Sequence, residues 1–142
     1  MMISEHFTLE ELTKSNTAKR LEIDNTPNVE QITNLKALVF TILEPIRKKY
    51  DKPIIVSSGF RCSELNKIVG GSTTSQHLSG QAVDIHSNTD CSKDNKELYD
   101  IIKSMVDNGD ITVGQLINEY DYDWIHISLP NGKYKNEVLK KC

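Results

Sequence analysis

The chain has 142 residues and a mass of 16.1 kDa, with 37% hydrophobic and 26% charged residues, which are the proportions of a globular protein and exclude a disordered or fibrous one. A chain this long buries one core and is short for two, so a single domain over residues 1–142 is expected. The net charge of -3 and pI near 5.8 exclude a broadly basic surface that would hold nucleic acid through its phosphates.

The N-terminal MMISEHFTLEEL has no basic flank leading into an apolar run, and no segment reaches the ~18 apolar residues that span a bilayer. No export signal or membrane anchor is expected, which places synthesis in the cytoplasm and leaves action elsewhere to another route of release. Within this segment Phe7 to Leu12 reads as a helix start: Thr8 caps, Glu11 completes a capping box and Phe7 staples onto Leu12. A polar stretch follows. Val29, Ile32, Leu35, Val39, Ile42, Leu43 and Ile46 then recur at helical spacing, predicting a long amphipathic helix to about Tyr50 that Pro45 kinks or brings to its final turns.

Pro53 opens PIIVSSGFR, whose branched apolar run is the best candidate for a buried strand. Ser63 to Val69 reads as a short helix ending at Gly70-Gly71, and a loop runs from Ser72 to Gly80. Gln81 to His86 alternates as a strand does, so Ala82, Asp84 and His86 share a face. Leu98, Ile101, Ile102, Met105 and Val106 mark another amphipathic helix, stopped by Asn108-Gly109. Val113 to Tyr120 and Trp124 to Leu129, joined by Asp121-Tyr122-Asp123, predict an antiparallel hairpin. The closing NGKYKNEVLKKC gathers lysines and reads as a solvated tail. This order of elements predicts an α+β fold, a small antiparallel sheet flanked by helices.

Two of the four histidines fall in TTSQHLSGQAVDIH, Thr73 to His86, with a carboxylate between them. Imidazole nitrogens and carboxylate oxygens suit zinc, and three protein ligands leave a fourth tetrahedral position open for catalysis. His77 on the loop, Asp84 on the following strand and His126 in WIHIS converge if the two strands are sheet neighbours. His86 has the parity of Asp84, which makes it either a competing ligand or a neighbour, and spacing does not separate these. His6 reads as a surface histidine. Cys62, Cys91 and Cys142 are odd in number and lack metal-type pair spacing, as befits reduced thiols.

Several motifs in order, SGFRC, ELNKIVGG, SQHLSGQAVDI, QLINEY and WIHIS, together with FTLEEL, resemble the zinc D-Ala-D-Ala carboxypeptidase family, peptidase M15, and most closely its small single-domain branch of phage-endolysin-like murein peptidases. The resemblance implies a D-Ala-D-Ala carboxypeptidase or hedgehog-like fold with the zinc site on the sheet. It also implies one Zn2+ ion on His77, Asp84 and His126, and hydrolysis of a peptide bond in a peptidoglycan stem or cross-bridge by a monomer acting on the cell wall, with release by a phage holin-type route. Arg61 matches the family arginine that hydrogen-bonds the substrate carbonyl and the developing oxyanion.

The family also places a glutamate three residues before its last histidine ligand, as the carboxylate that takes a proton from water and hands it to the leaving amine. The matching position here is Asp123, one methylene shorter. Either Asp123 serves, which is the preferred reading, or Glu119 in QLINEY supplies the carboxylate across the hairpin. Trp124 packs at the hairpin edge or lines the substrate groove; Ser75 and Ser128 contact substrate or satisfy backbone donors; Gln76 orients the loop. The alternative to an enzyme is a noncatalytic zinc-containing module that binds peptidoglycan.

Overall fold

In a computed structural model describing residues 1–142, five strands form one sheet: β1 (Ile54–Ser58), β2 (Ala82–Ser87), β3 (Gln115–Glu119), β4 (Trp124–Ser128) and β5 (Glu137–Lys141). Their order across the sheet is β1-β2-β4-β3-β5. All pairs are antiparallel except β3–β5, which is parallel. Six α-helices accompany it: α1 (Leu9–Thr13), α2 (Asn16–Arg20), α3 (Val29–Leu38), α4 (Glu44–Tyr50), α5 (Ser63–Ile68) and α6 (Ser92–Asp107). The fold is α+β, as the order of elements predicts, and no helix is long and apolar enough to cross a membrane.

Local chemistry explains most boundaries. The Thr8 hydroxyl accepts from the Glu11 N–H at 3.2 Å, and Phe7 and Leu12 are both buried. The capping box is incomplete there, since the Glu11 carboxylate meets the Thr8 hydroxyl at 3.4 Å. A full box forms instead at α3, between Asn28 and Gln31. The run from Val29 to Tyr50 is helical throughout, but Val39–Leu43 widens into a π-turn in which the Glu44 N–H bonds the Val39 carbonyl. Pro45 has no N–H to give and its ring presses on the preceding turn; one extra residue in that turn relieves both. The predicted apolar face is buried from Leu35 to Tyr50, while Val29 at its start is exposed.

Four expectations need correction. The PIIVSS strand forms, but at the sheet edge, with Ile55 and Ser57 exposed, so its apolar run marks a strand and not a buried one. The polar stretch contains α2, capped by the Ser15 hydroxyl and anchored by buried Ala18. The lysine-rich tail contains β5, the parallel strand at the opposite edge. His6 is not a free surface residue: its Nδ1 lies 2.9 Å from Glu44 Oε2, and its N–H and the Ser4 hydroxyl donate to Glu44 Oε1 at 2.8 and 2.6 Å. Burial works against ionisation of the Glu44 carboxyl, but these donors hold its pKa below the ordinary value.

One sheet face packs on the helices through Val83, Ile85, Leu116, Ile125 and Ile127, all part of a 23-residue core. Strand alternation sends Asp84, Glu119, Trp124 and His126 to the other face.

Candidate metal centre

β2 and β4 are neighbours, and Asp84 and His126 are directly paired across them. His126 Nδ1 lies 2.9 Å from Asp84 Oδ1. His77 comes from a 3-10 turn, Gln76–Ser79, that occupies the predicted loop. The Ser75 hydroxyl starts this turn by accepting the His77 N–H, and Gly80 ends it at φ +76. Side chains of α3 dock it: Gln31 donates to the Leu78 carbonyl at 3.2 Å and Asn34 to the Ser79 carbonyl at 2.9 Å.

The His77 ring is buried, and its Nδ1–H donates to the Gly59 carbonyl at 2.7 Å. A carbonyl only accepts, so Nδ1 carries the proton and Nε2 is left as the donor atom, 3.4 Å from Asp84 Oδ1. The three ligand atoms of His77, Asp84 and His126 all lie within 4.8 Å of one another. Burial works against a charged Asp84, but hydrogen bonds and charge from His126 and His77 outweigh it and hold its carboxyl well below the ordinary carboxylate range. The arrangement suits a metal: two imidazoles, one ionised carboxylate, and spacings from each imidazole to the carboxylate of 2.9 and 3.4 Å, near the roughly 3.3 Å edge of a tetrahedron with zinc–ligand bonds of about 2.0 Å. A fixed Nδ1–H on a neighbouring carbonyl is the usual way a histidine ligand is oriented.

These groups sit in a cleft of about 560 Å³ that Arg61, Ser75, Gln76, Glu119 and Trp124 also line. Glu119 is buried; the Trp124 Nε1–H donates to its Oε2 at 2.8 Å, and Lys141 Nζ of β5 lies 3.5 Å from its Oε1. Gln76 reaches over to donate to the Leu129 carbonyl at 3.1 Å. Burial lowers the Arg61 pKa while the Asp84 and Glu119 carboxylates oppose the shift. A guanidinium stays charged in such a setting, so Arg61 is a cation facing both.

Two of the sequence-predicted residues do not reach the cleft. Asp123 is exposed in the β3–β4 turn. Ser128 is fully buried, its hydroxyl accepting the Gln115 N–H at 2.9 Å, a structural role on the strand. His86 turns aside, its Nδ1–H donating to the Ser87 carbonyl at 2.7 Å. Tyr120, Tyr134 and Lys141 line the cleft without having been singled out by the sequence. Tyr120 packs on Trp124 with ring centroids 5.0 Å apart, and its place beside Glu119 was the available signal.

A family model described as Peptidase M15 matches residues 5–128, which include all three candidate ligands, Arg61 and Glu119 and leave out β5. No curated protein matches the chain.

Proposed function

Since the chain belongs to the peptidase M15 family, we propose that it is a zinc-dependent metallopeptidase that hydrolyses a peptide bond in peptidoglycan stem or cross-bridge peptides. The observation that carries this reading is the meeting of His77, Asp84 and His126 in a cleft that also holds a buried carboxylate and an arginine. His77, Asp84 and His126 would hold a zinc ion, which would supply Lewis acidity at the scissile carbonyl and at the attacking water.

The chain's own residues supply the rest. Glu119 is the general base: its carboxylate takes the proton of the attacking water and delivers it to the leaving amine. The Trp124 indole and the Lys141 ammonium hold that carboxylate in place on the face that carries His126. Glu119 replaces the sequence preference for Asp123, whose exposed position on the turn leaves it without a path to the water. Arg61 donates to the substrate carbonyl oxygen, where negative charge grows in the transition state and a fixed cation contributes most. Gly59 keeps His77 in the tautomer that offers Nε2.

The test is purified protein incubated with cell-wall sacculi, with and without chelator. New free amines that require metal are expected, and mass spectrometry of the fragments names the bond. Binding to sacculi without cleavage would establish the noncatalytic module instead.

A further inference from the structure

Glu119 closes β3 and Trp124 opens β4, and the two face each other across the hairpin. Between them Tyr120, Asp121 and Tyr122 have φ of 52°, 55° and 66°, so all three backbones are left-handed. Residues other than glycine enter this region singly, because Cβ crowds the backbone there. Three in succession persist only where the surroundings impose them.

The surroundings act from the helix side of the sheet. Asn95 of α6 is fully buried, and its Oδ1 accepts the Ser87 N–H, at the end of β2, at 2.8 Å. Its Nδ2 donates to the Tyr122 carbonyl at 2.9 Å and meets the Asp123 carbonyl at 3.3 Å and Asp90 Oδ1 at 3.2 Å. One amide thus ties β2, α6 and the turn together. An apolar side chain at 95 would leave the buried ends of these bonds without their partner. Two further contacts hold the turn: Asn118, also buried, accepts the Tyr122 N–H at 2.7 Å, and the Tyr122 ring stands edge-on to Tyr99 of α6 with centroids 5.7 Å apart. Neither Asn95 nor Asn118 borders the metal cleft.

The consequence appears on the cleft side. The Trp124 indole that donates to Glu119 Oε2 at 2.8 Å leaves the turn directly, and Tyr120 at its other end packs on the Trp124 ring. The direction of the Glu119 carboxylate therefore depends on the angle at which the turn returns Trp124. We propose that Asn95 is a positioning residue for Glu119: it holds the left-handed turn from the side of the sheet opposite the cleft, which fixes Trp124 and, through it, the carboxylate. This rests on the reading of Glu119 as general base and extends it to a residue that lies outside the cleft.

Trp124 is the single tryptophan of the chain, so its fluorescence reports the contact with Glu119 without any turnover. Asn95→Asp keeps the acceptor for the Ser87 N–H and removes the donor to the turn carbonyls. In zinc-loaded protein this variant is expected to shift the Trp124 emission and to lower kcat on a soluble peptidoglycan fragment about 10- to 100-fold, with KM and zinc stoichiometry at the parent values. Adding Asp121→Gly, which enters the left-handed region without a Cβ, should restore the emission and most of kcat. Should the buried carboxylate prevent folding, Asn118→Ala removes the acceptor of the Tyr122 N–H and makes the same test with the same rescue. Parent-like emission and kcat in a folded variant, a loss carried by KM or by zinc content, or no recovery on adding Asp121→Gly would each overturn the proposal. Amine release by the unmutated protein tests the hydrolytic reading separately; if that fails, the emission of the variants still decides whether Asn95 sets the Glu119–Trp124 pair.

Discussion

Replacing Gly59 with alanine tests whether the candidate centre depends on a support outside its ligands. A Cβ at this position would stand 2.1 Å from the Leu12 carbonyl oxygen and 2.9 Å from its carbon. Contacts under 3.0 Å are not tolerated, so the β1–α5 connection and the end of α1 must part by about 1 Å. Both hydrogen bonds at that junction lie in the path of the shift: Phe60 N–H to the Leu12 carbonyl at 2.8 Å, and His77 Nδ1–H to the Gly59 carbonyl at 2.7 Å. Overpacking of this kind costs about 1–3 kcal/mol, and the reduced freedom of the unfolded chain returns about 0.4–1 kcal/mol, so a net loss of roughly 1–2 kcal/mol is expected. Loosening the carbonyl that orients a histidine ligand should weaken zinc binding by about 10- to 100-fold. Urea denaturation of the metal-free protein measures the first quantity and competition with a fluorescent chelator the second. A variant within 0.5 kcal/mol of the parent that binds zinc equally well would refute the argument that Gly59 packs against Leu12 and fixes His77.

Glu119→Gln is expected to lower the hydrolysis rate by about 10²- to 10⁴-fold with zinc stoichiometry intact, while Asp123→Asn stays near the parent; amine release with elemental analysis reads both. Chelation should abolish hydrolysis and leave the far-UV circular dichroism unchanged, because none of the three ligands belongs to the apolar core. Zinc restored at 100 times its dissociation constant should then add about 2.7 kcal/mol to stability. The Glu44 carboxyl has a lowered folded pKa, so its contribution is present above the unfolded value and is lost as the pH falls through the folded one. Glu44→Gln should therefore cost about 1–3 kcal/mol at pH 7 and progressively less below about pH 4.5, as followed by denaturation at each pH.

Local signals carried the helices other than α2, and the hairpin, into view from the sequence, because caps, glycine stops and short links act within a few residues. The position of a strand within the sheet is not local. Ile54 to Val56 look like a buried strand because they are apolar, but Ile55 alternates to the face opposite the core, on a strand that has a neighbour on one side alone, and is exposed. β5 was hidden for the opposite reason: four of its five residues are exposed, so no alternation betrays it, and its partner β3 lies about twenty residues earlier. The candidate ligand trio was readable because Asp84 and His126 sit on strands of clear alternation. Asp123 falls outside the cleft for a reason of parity. Asp123 and His126 are an odd number apart, and Tyr120, Asp121 and Tyr122 all take left-handed backbone conformations that end the strand before Asp123. Trp124 shares the face of His126, and pairing it with Glu119 across the hairpin brings the glutamate to that face.

The direct opposition of Asp84 and His126 makes ion capture a gauge of sheet assembly. Were β4 to slide one position along β2, Ile127 would take the place of His126 and the imidazole would be driven among the core side chains. Refolded material that takes up one equivalent of zinc has therefore found its native strand alignment, and the rate of uptake cannot outrun the slowest event that brings these two strands together.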